Sequence, residues 1–143
     1  MAKAVIDASN MVLGRMASAV AKRALKGESI EIVNSEKCFI SGGRKDILGK
    51  FQTRQGMQAK GNPNIGGPKY PRMPHMIVKR AIRGMLPYKR ERGRAAFKKI
   101  IVHIGVPKEL EGQKFEVIED AKIRANASKM GIDEISRMLG ARW

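Results

Sequence analysis

The chain has 143 residues, 43% of them hydrophobic, which allows a folded domain with a buried core and is too apolar for a disordered chain. Twenty-nine Lys and Arg against thirteen Asp and Glu give a formal net charge of +16, and such one-signed charge destabilises a compact state unless a polyanion neutralises it. No apolar run approaches the ~20 residues that span a bilayer, and with Cys38 as the only cysteine no intrachain disulfide forms.

In chain order, Lys3 to Ala8 carries Ala4-Val5-Ile6, the pattern of a strand buried on both faces, and Ser9-Asn10 is a turn. Leu13, Met16, Ala17, Val20, Ala24 and Leu25 recur at helical spacing, with Arg15, Ser18, Lys22 and Lys26 on the other side, which predicts a helix over Leu13 to Lys26 capped by Gly27. Ser29 to Asn34 is a second strand. Cys38, before the apolar Phe39-Ile40, is a small buried hydrophobe. After the turn Ser41-Gly42-Gly43, Arg44 to Met57 is a helix carrying Ile47, Leu48 and Phe51. Gly56 to Pro74 holds four glycines and four prolines and is expected to be an ordered loop or extended arm. A helix from about Pro74 to Leu86 stops at Pro87, a shorter one covers Arg90 to Lys99, and Ile100 to Ile104 is a strand ended by Gly105 and Pro107. Ile132 to Leu139 is a last helix, with Asp133 and Glu134 near its N-terminus. Alternating strands and helices predict an α/β fold over 1–143 as one domain. Its three layers place a small, mostly parallel sheet between helices, and the first connection is a right-handed crossover.

The positive charge is concentrated. Between Arg44 and Lys99 there are sixteen Lys and Arg and two acids, a net +14, while the rest of the chain holds thirteen and eleven, a net +2. A merely solvated surface interleaves both signs. On a helical projection of Ile77 to Met85, Lys79, Arg80 and Arg83 share an arc of about 100°, opposite Ile77, Ala81, Ile82 and Met85. The expected phosphate contacts are Arg15, Arg44, Lys45, Lys60, Lys69, Arg72, Lys79, Arg80, Arg83, Lys89, Arg90, Arg92, Arg94, Lys98 and Lys99, with Gly14 allowing close approach near the first helix. Aromatics make up 5%, so base stacking is not the main mode, and contact to phosphate and sugar governed by shape remains, which favours RNA.

Other functions fit less well. The first strand-to-helix turn, Asp7 to Arg15, holds one glycine where a dinucleotide fingerprint needs three. Ser41-Gly42-Gly43-Arg44-Lys45 has the form of a phosphate cradle at a helix start, and that phosphate fits an RNA backbone as well as a nucleotide. Of the two histidines, His75 is expected in contact with RNA or simply exposed, and His103 as a hydrogen-bonded structural residue. One Cys without a histidine pair makes a zinc site improbable. A nucleotide-binding enzyme and a basic membrane-surface protein stay as the alternatives. The lone cysteine and the absence of a signal-peptide or lipidation pattern at the N-terminus suit a reducing cytosol.

Val5-Ile6-Asp7-Ala8, Leu13-Gly14-Arg15-Met16-Ala17-Ser18, Val33-Asn34-Ser35-Glu36 and Ser41-Gly42 resemble the opening of the universal large-subunit ribosomal protein thirteen family. Arg83-Gly84-Met85-Leu86-Pro87, followed by Tyr88-Lys89 and the basic Arg90 to Arg94, resembles that family's most distinctive motif. The similarity spans nearly the whole chain. Gly66-Gly67-Pro68 leading into Arg72-Met73-Pro74, Val106-Pro107 after Gly105, and the short tail to Trp143 point to the archaeal and eukaryotic branch, in an archaeal-like form. The resemblance implies a parallel-sheet α/β domain of the large ribosomal subunit in the cytoplasm. It implies binding to large-subunit ribosomal RNA beside neighbouring ribosomal proteins and a part in assembly. It implies no catalytic residue, cofactor, metal, small-molecule substrate or membrane. Gly84, Met85, Leu86 and Pro87 are then expected to order the helix end beside the basic residues.

Overall fold

The computed structural model describes residues 3–124 and 126–143; Met1 and Ala2, where part of the N-terminal targeting reading falls, and Ala125 lie outside the described residues. In chain order the elements are β1 (Lys3–Asp7), α1 (Leu13–Leu25), β2 (Ser29–Val33), β3 (Phe39–Ser41), α2 (Arg44–Gln55), α3 (Pro74–Met85), α4 (Glu91–Lys98), β4 (Ile100–Val102), β5 (Lys129–Gly131) and α5 (Ile132–Met138). The α/β class is as expected. Strands β1, β2 and β4 form a parallel sheet in that order, with Lys3 opposite Ser29 and Ile30 opposite Ile100. A second, antiparallel sheet pairs β3 with β5, Phe39 opposite Gly131, which the sequence pattern does not anticipate.

Leu13, Met16, Ala17, Val20, Ala21 and Ala24 of α1 are all buried. They pack with Ile6, Ile30, Ile32, Ile100 and Val102, the alternate residues on one face of the parallel sheet. Lys22 and Arg23 in the last turn suit the negative helix end, and Gly27 at φ +104° makes the turn into β2. In α3, Pro74 occupies the first turn, where its missing N–H removes no helical bond, and Ile77, Val78 and Ile82 join the core. Met85, on the apolar arc of the projection, is 44% exposed, because the helix stops there and Leu86 turns inward instead. The opposite sheet face carries Val5 and Val33 and is covered by the irregular 106–116 segment, through Leu110, Val106 and Phe115. That segment also closes the β1 edge: the Asp7 N–H donates to the Glu116 carbonyl at 3.1 Å, and the Glu116 N–H to the Val5 carbonyl at 2.8 Å.

Between α2 and α3 the chain has one short 3-10 turn, Pro63–Ile65. Its base is closed by Gly67, where an added Cβ would collide with the Met57 carbonyl oxygen, so only a glycine lets the two arms of the loop touch.

Candidate nucleic-acid interface

Burying Ile77, Val78 and Ile82 of α3 leaves Lys79, Arg80 and Arg83 on the side away from the core. These cations lie on aromatic rings. The Arg80 guanidinium sits 3.9 Å from the centre of the Tyr70 ring, and Arg54 stands 5.8 Å from the same ring. Lys79 lies 5.3 Å from the centre of Phe97, and Arg83 5.4 Å from that of Tyr88. Tyr88 and Phe97 meet edge to face at 5.3 Å. Arg80 also donates a hydrogen bond to the Lys69 carbonyl at 2.9 Å. Each cation–π contact at an exposed site is worth about 0.5–1 kcal/mol, and together they hold otherwise flexible side chains in place.

Three concavities follow this surface. One of about 470 Å3 lies between α2, Tyr70-Pro71 and α3, with Ile47 and Phe51 on one wall and Arg80 and Gly84 on the other. A second, of about 520 Å3, is rimmed by Lys69, Lys79, Arg80 and Arg83 over Tyr70, Met76 and Phe97. A third runs along α2 past Lys45, Lys50 and Arg54, with Asp46. The expected set omits Lys50 and Arg54, which the structure puts in two of these hollows; both lie within the basic segment, and only the fold separates them from its other lysines and arginines.

The remaining expected residues divide. Lys45, Lys60, Lys89, Arg90, Arg94 and Lys98 are exposed. The exposed Arg92 and the half-buried Lys99 donate to the Leu25 and Gly27 carbonyls at 3.4 and 3.2 Å, at and just past the end of α1, where acceptors lack helical partners. Arg15 lies at the other end of α1, about 18 Å away at 1.5 Å per residue, with Nη1 3.5 Å from the Asp120 carbonyl. The exposed Arg72 lies by the C-terminal turn, its carbonyl accepting from Ser136 Oγ at 2.7 Å. Arg44 pairs with Glu134 at 2.5 Å. Outside the segment, Arg23 pairs with Glu28 and Glu116 at 2.7 and 2.6 Å, and Lys122 with Glu119 at 2.7 Å. Among the described residues Arg44 is thus the only cation of 44–99 paired with a carboxylate.

Two glycines near the Gly84–Pro87 motif differ sharply. A Cβ on the buried Gly93 would stand 2.1 Å from the Pro87 carbonyl oxygen, so α4 rests directly on the turn that ends α3. A Cβ on Gly84 meets nothing within 4 Å, and the same holds for Gly14. Packing within the protein does not require glycine at either place, although it lowers helix stability.

At the carboxyl end of a parallel sheet, the usual place for a nucleotide, this protein fills its own crevice. Asp7 Oδ1 accepts from Asn34 Nδ2 at 2.9 Å, the Ser9 N–H at 3.0 Å and Ser9 Oγ at 2.8 Å. Burial pushes the Asp7 carboxyl up, but those three hydrogen bonds, with Lys37 nearby, outweigh it and leave it below 3.8. Asn34, in the left-handed region at φ 54°, and Ser35 are buried there. Cys38 is buried as expected, and burial pushes its thiol up to about 12, far from a reactive thiolate. His103 departs from its expectation: β4 ends at Val102, and the buried Nε2 makes no hydrogen bond among the described residues, with Glu31 Oε2 at 3.7 Å. His75 lies half-buried in the first turn of α3, held below 6.5 by burial and by Lys79 and His103. No helix among the described residues is long and apolar enough to cross a membrane.

These features define a small α/β protein with a preorganised, almost acid-free cationic face. Residues 2–109 match the family model described as ribosomal protein L13, and the chain belongs to that family. It is 45% identical over 139 residues to the large ribosomal subunit protein uL13 of Methanosphaera stadtmanae, covering 97% of this chain and 98% of the relative. The uL13 of Archaeoglobus fulgidus is 43% identical, covering 96% and 88%, and that of Methanosarcina barkeri 45%, covering 97% and 99%. All three relatives are archaeal, in keeping with the branch the motifs indicate.

Proposed function

We propose that this chain is a structural component of the large ribosomal subunit that holds large-subunit ribosomal RNA through phosphate and shape contacts and supports subunit assembly. The observation that carries the reading is the charge of segment 44–99, where sixteen cations face two acids and, among the described residues, a single ion pair. Unpaired cations fixed on rings are placed to neutralise phosphates with little loss of side-chain freedom. Chain 1–143 acts as one unit, with Lys69, Lys79, Arg80 and Arg83 at the centre of the contact. Lys45, Lys60, Lys89, Arg90, Arg94 and Lys98 extend it. Arg92 and Lys99 act chiefly by tying α4 to α1, and Arg15 and Arg72 mark its outer limits. Neighbouring large-subunit proteins are further partners, on ribosomes in the cytoplasm. In this reading the protein works without a reaction, cofactor or metal.

The test is binding to large-subunit ribosomal RNA at several salt concentrations. Six to ten phosphate contacts predict a loss of roughly 10³–10⁵-fold between about 50 and 200 mM salt. Arg80, Arg83 and Arg90 all changed to Glu should abolish binding and co-sedimentation with large subunits while circular dichroism stays native. A flat salt response, or loss only on changing the basic residues of 108–129, overturns the assignment.

A further inference from the structure

The groove between the 69–71 loop segment, α3 and Phe97 has a composition that phosphate binding alone does not require. Its rim is cationic, from Lys69, Lys79 and Arg83, and carries no acid, but its floor is apolar, with Met76 46% exposed inside it. Of the chain's four Phe and two Tyr, Tyr70 and Phe97 both line it. The central element is Arg80. One side of its guanidinium is engaged by the Tyr70 ring at 3.9 Å, and Nη1 is tied to the Lys69 carbonyl. A guanidinium fixed this way is a flat platform in the groove wall, and unstacked nucleobases stack on arginine planes and aromatic rings. The volume of about 520 Å3 lies in the range of sites that enclose a small planar ligand.

We infer that this groove receives one unstacked nucleobase, stacked against Arg80 over the Tyr70, Met76 and Phe97 floor, while Lys69, Lys79 and Arg83 hold the flanking phosphates. The inference rests on the RNA-binding reading and adds to it a preference for a bulged or looped nucleotide over a continuous duplex.

The probes are two RNA hairpins with the same stem, one carrying a single-nucleotide bulge, titrated by fluorescence anisotropy against the full chain. The wild type is expected to favour the bulged hairpin by about tenfold, the scale of one base stacked on a protein surface. Arg80→Lys keeps the charge and loses the plane, so the preference should fall toward unity. Tyr70→Leu, which frees the guanidinium, should do the same, and thermal melts of both variants report whether they fold. With 2-aminopurine in the bulge, wild-type binding should change its fluorescence and Arg80→Lys should not. Equal wild-type affinity for both hairpins, or an undiminished preference in a folded Arg80→Lys, overturns the base pocket but leaves RNA binding standing. Failure to bind either hairpin or ribosomal RNA overturns both. An oligoglutamate peptide that displaces the bulged hairpin at equal concentration would assign the groove to an acidic protein segment and also overturn the base pocket.

Discussion

Changing Gly84 and Gly93 to alanine separates what the fold needs from what the surface is for. At Gly93 the new methyl would lie 2.1 Å from the Pro87 carbonyl oxygen and 2.4 Å from its carbon, both backbone atoms that cannot rotate away. Overpacking of this kind costs about 1–3 kcal/mol. Helix propensity returns up to about 1 kcal/mol, which leaves a net loss near 2 kcal/mol for a contact at the short end. For a chain of this size about 3–5 °C of Tm accompanies each kcal/mol, so Gly93→Ala should melt about 6–10 °C lower. Gly84 has open space within 4 Å, and its backbone has no positive φ. Gly84→Ala should therefore raise stability by about 0.5–1 kcal/mol, chiefly by restricting the unfolded chain, and Tm by about 2–5 °C. Yet Gly84 lines the hollow beside Arg80, so the same methyl should hold RNA away from that guanidinium and weaken binding to large-subunit ribosomal RNA by about tenfold, the worth of one close charge-assisted contact to phosphate. The assays are calorimetry of the free variants and filter binding of each to the RNA. Destabilised Gly84→Ala, fully stable Gly93→Ala, or unchanged RNA affinity in Gly84→Ala would refute the reasoning.

Acid should act through Asp7 and His75. The folded Asp7 carboxyl lies below 3.8, so its stabilisation is complete above that value and is lost as pH falls through it toward the folded value. His75 lies below 6.5 when folded, so the unfolded chain takes up that proton first and stability also declines below pH 6.5. Asp7→Asn should flatten the lower part of a Tm-against-pH curve and cost about 1 kcal/mol at neutral pH, the difference between charged and neutral acceptors. Cys38 should resist iodoacetamide in the native protein and react fully in denaturant, as mass spectrometry would report. Glu134→Gln should change stability by less than about 1 kcal/mol, since its pairing with the exposed Arg44 is a surface contact, and calorimetry would check it.

Elements with a long periodic pattern were legible in the sequence: α1 and α3 begin where their apolar spacing and proline place them. What escaped is built from distant partners. Strands β3 and β5 have three residues each, too few for an alternation to declare itself, and they meet across some ninety positions. The 106–116 segment has the composition of a loop, and only its place over Val5 and Val33 makes Leu110 a core residue. In the candidate site, the α3 arc of Lys79, Arg80 and Arg83 follows from helical spacing alone. Its rings do not: Arg54 and Arg80 flank Tyr70 from sixteen positions before it and ten after, and no local pattern encodes that. A low aromatic fraction counts rings without locating them, so it misses their gathering under the cations.

The sheet order has a consequence for how the molecule comes together. β2 pairs with β4 across seventy positions, Ile30 against Ile100, and nearly all the excess charge lies on the chain between them. Closing a loop of that length costs entropy that grows only slowly with length, but here the loop also repels itself. The last strand of the parallel sheet, β4 at its edge, docks only as the lysines and arginines are drawn close, so folding and charge crowding are a single event. Counterions, or an anionic polymer already gripping that loop, ease the step, and nascent chains in dilute salt close their sheet more slowly than contact order alone would set.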